Sequence, residues 1–445
     1  MRTTENAPAW KNWTQLAIRW SPLNGRLSRS VAIVATGHAA GYAILFLTTP
    51  VLTRLYNPSD FGLLATYASI MSLLGTSICL RYDAAIPIPR ESDEAKNLAL
   101  AALFFSVVGG LVAAVVFHFL QPMLVGYGNL SQLAPYAGLL AANLAAFGCF
   151  QIFTYIATRE QHFARLAQFR MVLVLGTVVT QLAFGWIATG PRGLVIGQFV
   201  GYLAGVVFMG IVSRGFFLGL ISPRSLLRTL FQYRRFPIYG TWSEILHISQ
   251  TVVPPILLAA TYGTECAGWF LLAWRIVGAP LTFLVVPIAR VFFAEASRIT
   301  ATNQVELLSF FSRTLRKCIV VALPLVVLIA ITATSIFPLL FGEQWEESGR
   351  YSQILCPLLL CHLLAISVRS IFDVTNRQDL QLISSLAGCL LMLAGVLLPS
   401  ALGASPVVAI STLSACSCAS YLLSIGLCRH AINAPSTVHP TESDR

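Results

Sequence analysis

Residues 97–120 read NLALAALFFSVVGGLVAAVVFHFL, and residues 133–158 read LAPYAGLLAANLAAFGCFQIFTYIAT. Both runs lie in one stretch, bounded by Lys96 and Arg159, that contains no Asp, Glu, Lys or Arg. Each run is long enough to cross ~30 Å of hydrocarbon as a helix, which takes about 20 residues. The stretch therefore predicts two membrane-spanning helices joined by a neutral hairpin that can pass through the bilayer.

The same pattern continues along the chain. A second stretch without acidic or basic residues lies between Asp379 and Arg429 and also holds two apolar runs. Long apolar stretches begin near twelve positions: Val31, Phe61, Asn97, Leu133, Phe169, Gly193, Pro237, Ala267, Cys318, Tyr351, Leu380 and Ser405. Because each has the length of a membrane-spanning helix, the sequence predicts an all-α polytopic membrane protein with about twelve transmembrane helices.

The composition of the 445-residue chain agrees with a membrane location. Hydrophobic residues make up 56% of the chain, charged residues 11%, and the mean hydropathy is +0.74, which excludes an ordinary soluble domain of this length. The net charge of +11 comes from bases between apolar stretches rather than from one basic soluble domain, so we expect no nucleic-acid partner. The ten cysteines show no metal-ligand spacing, which indicates packing roles.

The basic residues divide unevenly between alternate gaps. Twenty-four of the 29 bases, Arg170 and Arg369 among them, fall in one set of gaps when the gaps are numbered from the N-terminus. The other set holds Arg54, Arg192 and Arg350, and two more bases, Arg81 and Arg275, lie near or within spans. Because cytoplasmic loops retain Lys and Arg, this partition predicts an even number of helices with both termini cytoplasmic.

The order of elements predicts two lobes of six helices each. Residues 30–212 form the N-lobe with helices 1–6, residues 213–236 a basic cytoplasmic linker, and residues 237–428 the C-lobe with helices 7–12. Residues 1–29 are interpreted as a cytoplasmic interfacial segment, and residues 429–445 as a polar cytoplasmic tail. In each lobe a proline near the outer end of the first helix precedes a glycine that opens the second: Pro50 and Gly62, then Pro254, Pro255 and Gly268. Six spans per lobe make this a parallel repeat.

Several short runs resemble a known family. PVLTRLYNPSDFG at residues 50–62, LRYDAAI at 80–86 and the charged turn at 89–96 resemble the N-terminal signature of bacterial oligosaccharide flippases. RFPIYG at 235–240, AWR at 273–275 and VFFAEA at 291–296 follow the same pattern in the second half. Over nearly its whole length the chain is similar to the polysaccharide transport branch of the multidrug/oligosaccharidyl-lipid/polysaccharide exporter superfamily.

The resemblance implies two six-helix lobes around a central cavity that opens alternately to each side of the cell inner membrane. Its implied substrate is a lipid-linked oligosaccharide, typically on undecaprenyl pyrophosphate, moved to the external leaflet for surface polysaccharide or lipopolysaccharide (O-antigen) biosynthesis. Membrane lipid is a further expected partner, and the sequence leaves open whether a polymerase and a chain-length regulator act beside the protein. We expect no enzymatic activity and no cofactor, and no Gly-x-x-x-x-Gly-Lys nucleotide-binding loop occurs.

Arg275 and Glu244 are the strongest candidates for a charged site within the membrane. At 1.5 Å per residue, Arg275 lies roughly 12 Å from the outer end of helix 8, and Glu244 lies roughly 10 Å from the inner end of helix 7. The two side chains could meet across neighbouring antiparallel helices. One interpretation is a structural ion pair; the other is a cavity site in which Arg275 binds phosphate, since intramembrane charge usually marks function.

Two histidines and Glu244 are candidates for coupling or gating. His247 follows Glu244 by one helical turn and lies on the same face, and His38 lies at a similar depth in helix 1. Either histidine can instead be a hydrogen-bonded packing residue, because a pKa near 6.5 is the only argument for proton coupling. A carboxylate removed from water has a raised pKa, which makes Glu244 the better proton carrier.

Three further charged residues lie at helix ends. Arg54 closes helix 1 on the outside, where positive charge is disfavoured, and this gives it functional weight as a substrate-binding candidate. Arg81 ends helix 2 near the cytoplasm and is either a second substrate-binding candidate or a topological anchor. Asp83 is its partner or a charge at a helix end.

Two other functions compete with the flippase. An ion-coupled small-molecule exporter of the same superfamily shares twelve helices, but such exporters favour acidic sites, whereas the candidates here are mainly cationic. A membrane-embedded polysaccharide polymerase or ligase would carry a sizeable external loop with catalytic residues. The external gaps of this chain are short, which counts against an enzyme of that kind.

Overall fold

The structure, a computed structural model, describes residues 25–126, 128–187, 190–217, 223–300, 304–375 and 377–433, and within these ranges it contains helices and no strands. Twelve long helices follow one another in this part of the chain. They are α1 Gly25–Leu55, α2 Pro58–Ile78, α3 Ser92–Gly126, α4 Ala137–Arg159, α5 Phe163–Ile187, α6 Arg192–Val212, α7 Thr241–Tyr262, α8 Thr264–Thr300, α9 Gln304–Phe341, α10 Glu346–Val368, α11 Gln378–Ala401 and α12 Pro406–Asn433.

The described residues provide ten candidate membrane spans, judged by length and composition. These spans coincide with α2–α7 and α9–α12, and α1 contributes a shorter apolar helix over Ala39–Leu55. The prediction of an all-α polytopic membrane protein is confirmed, while the exact number of twelve spans stays a prediction. Large apolar side chains on these helices point outward, as expected for lipid contact: Phe119 is 76% exposed, and Leu339 is 78% exposed.

The helices reverse direction through turns with specific backbone chemistry. Following the predicted orientation, the end of the bundle with the α1–α2 turn is here called the outer end, and the end with the α2–α3 turn the inner end. Four turns at the outer end use a glycine with positive φ, a conformation that residues with a side chain rarely adopt: Gly190, Gly263, Gly342 and Gly403. The α1–α2 turn instead uses Asn57, whose backbone N–H donates to the Asp60 carboxylate over 3.0 Å.

The predicted linker and termini differ from the observed elements in detail. Within residues 213–236 the chain forms a helical turn at Arg214–Phe217 and an amphipathic helix at Pro223–Gln232. A short π-helical segment, Phe236–Gly240, then leads into α7. Helix α1 already includes Gly25, and α12 continues to Asn433, so both extend past the predicted boundaries. Residues 1–24 and 434–445 lie outside the described part of the chain.

Each half has a core of its own, and a further buried cluster, which includes Phe61 and Trp345, joins the two halves. One buried cluster lies within the first half, around Phe150, Ile156 and Phe169, and another lies within the second half, around Phe270 and Leu355. The principal contacts between the halves are those of α2 with α7 and α8. Helix α2 therefore forms most of the interface between the halves, and any movement of one half against the other would change its contacts.

Candidate functional site

The inner end of α2 finishes in an unusual backbone conformation. Leu80 and Arg81 follow each other with φ angles of 49° and 60°, and a one-turn helix, Tyr82–Ala85, begins directly after them. A left-handed conformation costs an ordinary residue roughly 1–2 kcal/mol. Strain of this kind is found where surrounding contacts fix a side chain in place, and here the side chain is that of Arg81.

Arg81 connects the two halves by an ion pair with Glu244. Its Nη2 atom lies 3.8 Å from the Oε2 atom of Glu244 on α7, and Tyr155 on α4 is a further hydrogen-bond partner of Arg81. The Glu244 side chain is 36% exposed, and a pair this exposed and this long typically contributes about 0–1 kcal/mol. The contact is thus specific but weak.

Asp83 adds a negative charge beside this pair. It is buried in the one-turn helix after Arg81, and its Oδ1 atom has no hydrogen-bond partner within the described residues. Burial raises the pKa of Asp83 above its ordinary value, whereas Arg81 lowers it and Glu244 raises it further. The ionised form of Asp83 is therefore disfavoured by burial and by Glu244, and favoured by Arg81.

On the other side of Glu244 lies a second arginine. The guanidinium of Arg369, at the end of α10, donates to the imidazole ring of His247, and Arg369 also attracts Glu244 electrostatically. A ring nitrogen that accepts from a guanidinium carries no proton. Arg81, Asp83, Glu244, His247 and Arg369 together are named the inner charge cluster, which extends from the first half of the protein into the second.

The inner charge cluster continues into a small polar cavity within the second half. Helices α7, α10, α11 and α12 line this cavity, which contains His247 and Arg369 together with His362, Gln250, Tyr421 and four serines. The Nδ1 atom of His362 is buried without a hydrogen-bond partner among the described residues. Such a lining, with this unpaired ring nitrogen, suits water or a polar ligand rather than a packed core.

The structure brings together some of the predicted site residues and separates others. Glu244 pairs with Arg81 and not with Arg275, for which the described residues include no carboxylate within 4.0 Å. Arg275 is half-buried on α8, and Arg54 is exposed at the outer end of α1. His38 is part of α1, but its side chain lies outside the described part of the chain. The predicted approach of Arg275 to Glu244 is therefore replaced by the Arg81 pair, because depth along a helix does not specify which way a side chain faces.

The outer end closes through close backbone contact. A Cβ atom on Gly62 would lie 1.7 Å from the carbonyl oxygen of Thr264, and one on Gly268 would lie 1.8 Å from that of Pro58. The first turns of α2 and α8 thus touch reciprocally. Trp345, which is fully buried, donates from its Nε1 atom to the Thr53 carbonyl oxygen over 3.1 Å. We name this contact region, formed by α2, α8 and Trp345, the outer seal.

Sequence reasoning missed Arg369, His362, Trp345 and Arg170. The partition of bases predicts cytoplasmic gaps for Arg170 and Arg369, whereas the structure places Arg170 within α5 and Arg369 at the end of α10. His362 and Arg369 are seven residues apart and share a helical face. A polar pair at this spacing in an otherwise apolar helix was the signal that could have identified them.

Comparison with known proteins agrees with this architecture. A family model described as polysaccharide biosynthesis protein matches residues 51–350. The lipopolysaccharide biosynthesis protein WzxC of Escherichia coli (strain K12) is 24% identical over 356 residues, covering 78% of this chain and 69% of that protein.

Solved structures share the fold. An inward-facing multidrug resistance transporter of the MATE family, in the MOP superfamily, superposes with a TM-score of 0.66 at 14% identity, covering 90% of this chain and 98% of the transporter. The lipid II flippase MurJ in an inward closed conformation gives a TM-score of 0.64 at 12% identity, covering 88% of this chain and 87% of MurJ. The helices described above are thus arranged as in transporters of the MOP superfamily.

Proposed function

This chain belongs to the polysaccharide biosynthesis protein family, and on that premise we propose that it is a flippase for a lipid-linked oligosaccharide. The proposed cargo is carried on undecaprenyl pyrophosphate and crosses the cell inner membrane by alternating access, for surface polysaccharide or lipopolysaccharide biosynthesis. The similarity to a lipopolysaccharide biosynthesis protein and the fold shared with a lipid II flippase support a cargo of this class.

The proposal rests on one observation: the contacts between the two halves are stronger at the outer end than at the inner end. At the outer seal, helix backbones touch and an indole is fully buried, and an aromatic side chain of that size removes about 150–250 Å² from water. At about 25 cal/mol per Å², that burial stabilises the seal by several kcal/mol. The Arg81–Glu244 ion pair at the inner end is weak, and a competing anion can open it more readily than the seal.

A pyrophosphate group is an anion that competes well for Arg81. A guanidinium can bind two phosphate oxygens at once through parallel hydrogen bonds. The observed contact of Arg81 with Glu244 is a single long one of 3.8 Å, so phosphate is the better partner. We propose that cargo entering from the cytoplasmic side takes Arg81 from Glu244, and that Arg275 provides a further cationic contact along the path. Cytoplasmic termini are proposed with this orientation, which the predicted partition of basic residues supports.

Complementation tests the proposal in cells. In a bacterium that lacks its O-antigen flippase, the wild-type chain should restore surface polysaccharide on gels and prevent accumulation of the lipid-linked precursor. Arg275→Ala should abolish restoration at equal protein level, and Arg275→Lys should retain part of it if charge is what matters.

Two results would contradict this account. Normal restoration by Arg275→Ala would remove Arg275 from the transport path. Failure of the wild type, together with a gain in resistance to cationic drugs, would favour the small-molecule exporter instead. Recipient strains that differ in their sugar repeat separate a mismatch of cargo from a failure of function.

A further inference from the structure

A second cavity lies in the first half of the protein, away from the inner charge cluster. It lies between α1, α4, α5 and α6 and is partly open to the surface. Arg170 of α5 lines it with Tyr42 of α1 and Tyr202 of α6, and its remaining wall is largely apolar, including Leu45 and Phe150. Three polar side chains thus meet in an otherwise apolar cavity.

Close helix packing brings α1 and α6 up to α5 around Arg170. A Cβ atom on Gly37 would lie 2.5 Å from the Cβ of Ala167, so only glycine allows α1 to approach α5 at this level. A Cβ atom on Gly205 of α6 would lie 2.9 Å from the ring of Phe169, beside Arg170. Arg170 lies about two helical turns into α5 from Phe163, roughly 10 Å along the helix axis. The cationic group is therefore fixed on a rigid element within the predicted membrane region.

The charge of Arg170 has no described counter-charge. Its Nε atom is buried without a hydrogen-bond partner, and among the described residues no carboxylate lies within 4.0 Å of it. The groups that interact with it electrostatically are the hydroxyls of Tyr42 and Tyr202, which are neutral. Arg170 is half-buried, and a partly desolvated guanidinium without a counter-charge is costly, so an arginine retained at this position favours an anion beside it.

We propose that this cavity, named the Arg170 cavity, binds the phosphate group of a membrane lipid. The guanidinium fork presents parallel donors that match phosphate oxygens, and the tyrosine hydroxyls provide further hydrogen bonds. The apolar wall around Leu45 and Phe150 suits the first carbons of a lipid chain, whereas free phosphate would lose its hydration there without replacement. The site is separate from the Arg81–Glu244 pair, and its ligand binding does not depend on the proposed transport.

The second half has a related feature in the corresponding place. Its polar cavity lies between α7, α10, α11 and α12, the counterparts of α1, α4, α5 and α6 if the halves are repeats, and it too contains an arginine, Arg369, and a tyrosine, Tyr421. Arg369, however, contacts His247 and attracts Glu244, while Arg170 faces neutral groups. Among the described residues, Arg369 therefore has a nearby carboxylate and Arg170 has none, so an anion site is expected at Arg170.

Direct binding to the purified full-length protein tests the inference. The probes are geranylgeranyl monophosphate, the uncharged alcohol geranylgeraniol, and inorganic phosphate, with the protein in nanodiscs of zwitterionic lipid. The monophosphate should bind at least about tenfold more tightly than the alcohol, and Arg170→Gln should reduce that difference to the part that Arg81 and Arg275 provide. Arg165→Gln is the matched control, because Arg165 is exposed on the same helix and contacts His162; it should bind as the wild type does.

A stability measurement separates binding from a purely structural role. Without ligand, Arg170→Gln should unfold at the same or a higher temperature than the wild type, because an uncompensated charge is removed. Equal monophosphate affinity in wild type and Arg170→Gln would overturn the site. Equal affinity for inorganic phosphate and the prenyl monophosphate would overturn the assignment to a lipid. A marked loss of unliganded stability in Arg170→Gln would show that the guanidinium serves packing instead.

Discussion

At the scale of single residues, the ion pair between Arg81 and Glu244 makes the most specific prediction. Arg81→Glu or Glu244→Arg alone places like charges where the structure has opposite ones at 3.8 Å, which costs from about 1 to about 4 kcal/mol depending on solvent screening. Each single variant should therefore lower the apparent melting temperature and reduce complementation. The double swap should recover at least part of both, because it restores opposite charges.

A double-mutant cycle quantifies this coupling. Apparent melting temperatures and surface polysaccharide are measured for wild type, both single variants and the swap at equal expression. A swap that behaves no better than the worse single variant would show that the two side chains do not interact. Arg350→Glu is a suitable control for unspecific effects of charge, since Arg350 pairs with Glu347 on its own helix and takes no part in the interface.

Asp83 predicts a dependence of stability on pH. Burial raises the pKa of Asp83 in the folded protein, with Arg81 acting in the opposite sense. Below the unfolded pKa the carboxyl is protonated in both states and costs nothing; as pH rises through the raised folded pKa, ionisation in the buried site reduces stability. The melting temperature of Asp83→Asn minus that of wild type should therefore increase from pH ~4 to pH ~8. A difference that stays flat or falls over this range would show that the carboxylate is not penalised by burial.

At the scale of helices, the contact between α2 and α8 predicts a strict requirement for glycine. The Cβ of Gly62→Ala would overlap the Thr264 carbonyl oxygen, so the helix starts must separate, at a cost of about 1–3 kcal/mol or more. The variant should melt at a lower temperature and expose the outer seal, measured as faster labelling of a cysteine introduced at Thr53. Gly138→Ala on α4 is the control, because its Cβ meets nothing within 4 Å and it should not lower stability. Equal stability and labelling in both variants would contradict the seal.

The positions of the helices along the chain were largely predictable, whereas the ends of the helices and the way they pack were not. Each of the twelve apolar stretches coincides with a long helix, because hydrophobic length is a direct signal of a membrane-spanning segment. Hydropathy detects only the apolar part, so it did not predict that α8 continues to Thr300 or that α12 continues to Asn433. Similarly, depth along α7 and α8 was estimated for Glu244 and Arg275, but the rotation of each helix is determined by packing that the sequence alone does not contain.

The candidate site shows the same division. Arg81, Asp83, Glu244 and His247 were identified as charged or titratable residues at unusual positions, and the structure places all four in the inner charge cluster. Arg369 was missed because a base directly after an apolar run looks like a cytoplasmic anchor. Only its contact with His247 reveals that it belongs with Glu244.

At the scale of the whole molecule, the two halves meet in two different ways. The outer seal joins them by backbone contact and a buried indole, whereas the inner end includes an ion pair whose arginine can also bind a phosphate. On the proposed mechanism, cargo binding would weaken the inner contact without disturbing the outer one, so the inner end would open first. Return to the observed state would follow when the anion leaves and Arg81 can pair again with Glu244.

Translocation by the purified protein tests this account most directly. Proteoliposomes carry a fluorescent undecaprenyl-pyrophosphate oligosaccharide in one leaflet, and an impermeant sugar-cleaving enzyme reports its arrival in the other. We expect wild type to move the lipid many times faster than protein-free liposomes, and Arg81→Glu with Glu244→Arg to retain more of this rate than either single variant. No acceleration by a folded wild type over protein-free liposomes, with the same lipid, would contradict the account.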